Sequence, residues 1–222
     1  MNSTDKSKKK KKRKLSLRSF YYEMIKIFGG LWVSLYVRPK VYRISDSVPK
    51  RIKGGVIIAA NHTSCLDPVA LFCVFWYRRL YFPATEELFY KPINSFFFTN
   101  MNCIRIDRNS PNTAALKEMC RLLKRDKAVA IFPEGGINAT DEMKVFKKGT
   151  AYMALRCNCP ILPVYISKKE TRREPTYIVI GEPVNVTDVC KDMSKEEAVE
   201  RVSEYLRNAE IALAEYCDKI KK

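Results

Sequence analysis

One histidine occurs in this 222-residue chain, and it stands in the segment NHTSCLD, Asn61 to Asp67. A histidine acting as a general base needs its second ring nitrogen held by a partner that fixes the tautomer and stabilises the imidazolium. Asp67, five positions on, can bring its carboxylate back onto the ring if the segment is a strand-to-helix turn. The structural account is that Asp67 only caps a helix whose first residue is Pro68 and His62 is a turn residue; capping and holding the ring are compatible, since an N-cap aspartate has a second oxygen to offer. Ser64 and Cys65 are rival nucleophiles within reach of the histidine. A Cys–His dyad has no evident geometry in so short a turn.

A second group is FPEGG, Phe132 to Gly136. Consecutive glycines expose backbone N–H groups and let a phosphate or oxyanion approach closely, although a plain glycine turn has the same composition. Basic side chains that could neutralise a phosphate lie in or beside these loops: Arg105, Arg108, Lys144, Lys147 and Lys148.

The surrounding pattern places these groups. GVIIAA, CIRI and AVAIF are apolar runs of strand length, and each is followed by one of the polar clusters: NHTSCLD, DR and PEGG. VYRIS, RLYFPA, ILPVYI and TYIVIG are further strands, and SPNTAALKEMCRLLKRD and KKGTAYMALRC are helices. The acid-rich SKEEAVERVSEYLRNAEIALAEYC is a closing amphipathic helix, with Ser194 and Glu197 as a capping box. Alternation of strand and helix predicts an α/β fold with a largely parallel β-sheet flanked by helices. Sites in such sheets lie at the carboxyl ends of strands, so the three clusters should share one rim.

Charge narrows the partners. Lys and Arg number 41 against 24 Asp and Glu, a formal net charge of +17. Nine basic residues and one acid fall within residues 1–18, a polybasic tail expected to be disordered. Residues 19–39 come next as an amphipathic interfacial segment, its apolar face built from Phe20, Tyr21, Met24, Ile25, Ile27, Phe28, Leu31 and Trp32. A polybasic run beside such a face suits an anionic membrane surface; the alternative is a helix packed on the domain with a solvated tail. The uncharged run IFGGLWVSLYV is too short to span a bilayer. Residues 40–222 form the remaining domain. The eight cysteines include no Cys-x-x-Cys pair, and with one histidine no zinc site is expected; they read as reduced thiols.

Together the clusters resemble the glycerolipid acyltransferases of the lysophosphatidic-acid type, the 1-acylglycerol-3-phosphate O-acyltransferases. The family's Asn-His-x4-Asp block is matched by Asn61, His62 and Asp67. Its strand ending in Asp-Arg is matched by CIRIDR, with Asp107 and Arg108. Its Phe-Pro-Glu-Gly block is Phe132 to Gly135, followed by FKKGTAYMA and the apolar strand CPILPVYI. Gly136 and Ile137 depart from the family, which has Thr or Ser and often Arg there, so that phosphate contact is absent or comes from another base.

The resemblance implies acyl transfer from an acyl thioester, on coenzyme A or a carrier protein, to the sn-2 hydroxyl of 1-acyl-glycerol-3-phosphate, giving phosphatidic acid. It implies catalysis by His62 and Asp67 without an acyl-enzyme, no cofactor and no metal. Asn61 would support the loop or line the substrate site; Arg108, Glu134, Gly135, Gly136 and Lys148 would bind substrate. The expected partners are the thioester, a lysolipid and an anionic membrane, with no nucleic acid, at the cytoplasmic face as a peripheral or monotopic protein. Other acceptors (glycerol-3-phosphate, another lysophospholipid), a Cys–His thioesterase and a non-catalytic polybasic binder are the alternatives.

Overall fold

The computed structural model describes residues 17–107, 112–138, 146–169, 171, 173–190 and 193–221. Most of the polybasic tail and Arg108 lie outside them. In chain order the elements are α1 (Leu17–Met24), a π-helical turn (Ile25–Gly29), α2 (Gly30–Val37), β1 (Lys40–Arg43), β2 (Val56–Ala60), α3 (Asp67–Val74) and β3 (Leu80–Thr85). After them come a 3₁₀ turn (Glu86–Phe89), α4 (Pro92–Asn100), β4 (Cys103–Ile106), α5 (Thr113–Leu123), β5 (Ala128–Ile131) and α6 (Gly149–Cys157). The chain closes with β6 (Ile161–Ile166), β7 (Tyr177–Ile180), α7 (Val186–Val189) and α8 (Lys195–Lys221).

The seven strands form one sheet in the order β1-β7-β6-β2-β5-β3-β4. Every neighbouring pair is parallel except β6 and β7. Parallel strands covered on both faces have no wet side, which is why β2 reads VIIAA and is buried at all five positions. Its alternate residues serve two cores. Val56, Ile58 and Ala60 pack with Ala70, Leu71 and Phe75 of the α3 face; Ile57 and Ala59 pack with Met119, Ala154 and Leu206 from α5, α6 and α8.

The closing helix begins as its sequence demands. The Ser194 N–H donates to the Glu197 carboxylate at 3.0 Å, and the Glu197 N–H donates to Ser194 Oγ at 3.3 Å. One expectation about the cysteines is overturned: Cys120 and Cys157 form a disulfide, with Cα atoms 5.8 Å apart. The reason is tertiary, since α5 and α6 pack side by side on one face of the sheet and bring together residues 37 apart in sequence.

α1 rests on the domain through one side and leaves another open. Tyr22 is buried, accepting a hydrogen bond from the Leu80 N–H at 3.4 Å, and Glu23 pairs with Arg79 at 3.1 Å. Phe20, Met24 and Ile27 are exposed. Among the described residues no helix is long and apolar enough to cross a membrane.

Candidate active site

β2 ends at Ala60, and the residue after it sets the course of the loop. Asn61 is buried, and its amide bridges to the neighbouring strand end: Nδ2 donates to the Ile166 carbonyl at 2.9 Å and Oδ1 accepts from the Ile166 N–H at 2.7 Å. Both ends of the side chain thereby extend the β2–β6 ladder by one rung. This geometry gives Asn61 the work of holding the loop.

The turn beyond is organised around one oxygen. Asp67 Oδ2 accepts from the backbone N–H of Thr63 at 2.7 Å and of Ser64 at 2.8 Å, and lies 2.9 Å from His62 Nδ1. This arrangement corrects the helix-cap account. Asp67 is the first residue of α3, Leu66 holds the cap position, and no side chain caps that helix. The carboxylate faces back into the turn instead, where it reaches the ring. With Nδ1–H donated to Asp67, Nε2 is the nitrogen with a lone pair to offer. The imidazole is further fixed by stacking on Phe132, with centroids 4.1 Å apart and planes 18° apart. It is 15% exposed, so the ring is largely buried yet still reachable.

β5 lies next to β2 in parallel register, Ala59 opposite Ile131, so the Phe132–Gly136 turn meets the histidine turn at one rim. Two bonds tie the loops together: the His62 N–H donates to Glu134 Oε1 at 3.2 Å, and the Asn138 N–H donates to the His62 carbonyl at 2.6 Å. Gly135 adopts φ +73°, a left-handed conformation suited to glycine. It also leaves room for Lys147, since a Cβ at Gly135 would fall 2.6 Å from Lys147 Nζ. Gly136 borders open space.

The two adjacent lysines part company. Lys148 points away and pairs with Glu200 of α8. Lys147 lies over the Gly135 turn and makes no ion pair among the described residues, which makes it, in place of Lys148, the base beside the turn. β4 runs parallel but is the sheet's edge strand, with β3 and β5 between it and β2, so Asp107 is at the same rim but farther out. There the Asp107 N–H donates to the Asn112 side chain at 2.7 Å. Cys65 is exposed, and neither it nor Ser64 bonds the His62 ring among the described residues.

One neighbour of the site was silent in the sequence. Glu210 of α8 is fully buried, and neither of its carboxyl oxygens has a hydrogen-bond partner among the described residues. Glu134, close enough to act on it, has a buried Oε2 in the same condition. Burial first, and the Glu134 charge second, push the Glu210 carboxyl well above the ordinary carboxylate range. Nothing in its local sequence singles it out from the other acids of that helix.

Residues 40–167 match the family model described as Acyltransferase. Similar curated proteins include the 1-acyl-sn-glycerol-3-phosphate acyltransferase of Limnanthes alba, 28% identical over 82% of this chain and 64% of that protein. The enzyme of the same name from Borreliella burgdorferi is 33% identical over 54% of this chain and 48% of its own length. The chain thus spans under two thirds of the length of these relatives. Among solved structures, the 1-acyl-sn-glycerophosphate (LPA) acyltransferase PlsC from Thermotoga maritima shares the fold, with a TM-score of 0.64 over 90% of this chain and 80% of that one at 24% identity. With a family model covering more than half its length and a mostly parallel sheet of the same fold, the chain belongs to the acyltransferase family.

Proposed function

We propose that this chain moves a fatty acyl group from an acyl thioester, on coenzyme A or a carrier protein, to the sn-2 hydroxyl of 1-acyl-glycerol-3-phosphate, giving phosphatidic acid for phospholipid synthesis. The observation that carries this reading is the His62–Asp67 pair, with Asp67 Oδ2 held at 2.7–2.9 Å by three donors of one turn. An acceptor that already receives two backbone N–H bonds cannot drift, so the ring it holds is aimed before substrate arrives.

In the proposed reaction the acceptor hydroxyl oxygen attacks the thioester carbonyl carbon while Nε2 of His62 takes its proton. The tetrahedral adduct collapses, the C–S bond breaks, and the same proton passes from Nε2 to the departing thiolate. Atoms balance with no covalent enzyme intermediate, so Ser64 and Cys65 need no part. The Phe132–Gly136 turn would lie along the glycerol-phosphate end. Lys147 would supply the positive charge there, since Gly136 and Ile137 offer neither hydroxyl nor guanidinium. Arg108 would be a second basic contact. The exposed Phe20, Met24 and Ile27, with the basic run before them in sequence, support a peripheral position on a membrane at its cytoplasmic face, where a lysolipid resides.

The test is thiol release from a long-chain acyl-coenzyme A with lysophosphatidic acid, glycerol-3-phosphate, monoacylglycerol or no acceptor. The reading expects release with lysophosphatidic acid in the parent and none in His62→Ala. Preference for glycerol-3-phosphate or a neutral acceptor would replace the acceptor assignment. Release without acceptor would replace transfer by hydrolysis.

A further inference from the structure

α4 has a composition that its surroundings do not explain. Its sequence, PINSFFFTN, is apolar enough for a core, yet none of its nine residues is buried. Ile93 is 80% exposed, Phe96 58% and Phe97 42%. The 3₁₀ turn and the residue after it add Leu88 at 41% and Tyr90 at 73%. On its inner side Phe98 meets the buried Phe89 ring at 5.8 Å. The segment is anchored by that contact and by Arg105, whose guanidinium lies over Phe89 at 4.6 Å and donates to Ser95 at 2.9 Å. What anchors it therefore leaves its larger apolar side uncovered.

That side is continuous with α1. Tyr21 of α1 meets Phe96 edge-on at 5.1 Å, and Phe20 and Met24 of the same helix, with Ile27 of the π-helical turn, are exposed. Scattered apolar residues on a surface need no explanation, but a joined group from two elements marks a binding surface. Its position matters as well. The 3₁₀ turn leaves the carboxyl end of β3, and β3 pairs with β5, which pairs with β2, so the group rises from the same rim as His62.

We infer that the α4 segment is the second half of a membrane-docking surface, which together with α1 seats the active-site rim on an anionic lipid bilayer. Charge selects this occupant. The chain's formal net charge is +17, nine of its basic residues fall at positions 1–18 of the sequence, and Lys91 follows Tyr90, against Glu86 and Glu87 in the 3₁₀ turn. Aromatic side chains on a strongly basic chain match an anionic headgroup boundary, whereas a second copy of this chain would bring a second net charge of +17 against the first. The inference rests on the membrane-surface part of the proposed function.

The experiment is co-sedimentation of the full chain with vesicles of phosphatidylcholine and phosphatidylglycerol in equal parts. Four proteins are compared: the parent, Ile93→Asp/Phe97→Asp, Tyr90→Asp, and Tyr205→Asp as a control on an exposed aromatic of α8. Circular dichroism and turnover on detergent-dispersed substrate verify that each is folded. The expected result is a vesicle affinity lowered about tenfold or more in the double variant, lowered less in Tyr90→Asp, unchanged in Tyr205→Asp, with detergent turnover kept by all. Equal vesicle binding by parent and double variant would overturn the role of α4 and leave the α1 reading standing. No binding by the parent would remove the membrane reading itself. Conversion of a parent dimer to a monomer by the double variant, with vesicle binding intact, would assign the surface to self-association instead.

Discussion

Asp67 and Glu210 are both buried acids near one rim of the sheet, and they are held in opposite ways. Asp67 gathers three donors on a single oxygen, two of them backbone groups that the turn cannot withdraw. Glu210 has no donor among the described residues and faces a second carboxylate, Glu134, which is itself held only through Oε1. A buried charge is tolerable where hydrogen bonds replace water, and otherwise the group keeps its proton. The difference is why the proposed chemistry is placed on Asp67, whose geometry is fixed from outside itself. Glu210 is expected to act on stability instead.

The strongest way to break this contrast is at the turn. His62→Ala and Asp67→Asn should each lower kcat by on the order of 10²–10⁴-fold. The double variant should lose little more than the worse single one, because the pair acts as a unit. Additive losses, read by steady-state kinetics, would separate the two residues.

The next effect distinguishes the adjacent lysines. Lys147→Ala should raise KM for lysophosphatidic acid about tenfold, the scale of one charge-assisted hydrogen bond, with kcat less affected. Lys148→Ala removes only an exposed pair with Glu200 and should leave KM unchanged. Equal effects of the two substitutions would remove Lys147 from the site.

Glu210 sharpens the other side of the comparison through pH. A carboxyl whose pKa is higher folded than unfolded favours the fold below its unfolded value, about 4.3 for Glu. That advantage is lost as pH rises toward the folded value. Glu210→Gln keeps the shape and removes the titration. Its melting temperature should exceed the parent's at pH 8, by about 2–4 °C for each kcal/mol regained, and the gap should close toward pH 5. A constant gap across that range, in calorimetry, would detach the effect from ionisation. The smallest effect is expected at the exposed Cys65, where Cys65→Ala should leave turnover unchanged.

Much of the fold was legible because buried parallel strands leave near-continuous apolar runs, as VIIAA of β2 and AVAI of β5 do. The antiparallel β6–β7 pair was not, because strand direction depends on how the polar segment between them folds back, which no periodicity records. At the site, the His62–Asp67 pairing followed from residue type and spacing. The helix-cap alternative failed over a single position, since α3 starts at Asp67 and not after it. Lys147 and Lys148 look alike in sequence, but they lie just before α6, where only the folded path of the chain decides that one goes to the turn and the other to α8. Glu210 hides among the solvated acids of its helix, and only packing against the sheet marks it. The exposed aromatics of α4 were equally silent, because composition cannot say which side of a helix lacks a neighbour.

The central claim is direct transfer governed by His62. The measurement that tests it most directly mixes the protein with radiolabelled acyl-coenzyme A, first alone and then with lysophosphatidic acid, and tracks free thiol, protein-bound label and labelled lipid. The account predicts no thiol and no bound label until the acceptor is added, then thiol and labelled phosphatidic acid in equal amounts. Label held covalently by the protein, at Cys65 or Ser64, would contradict it.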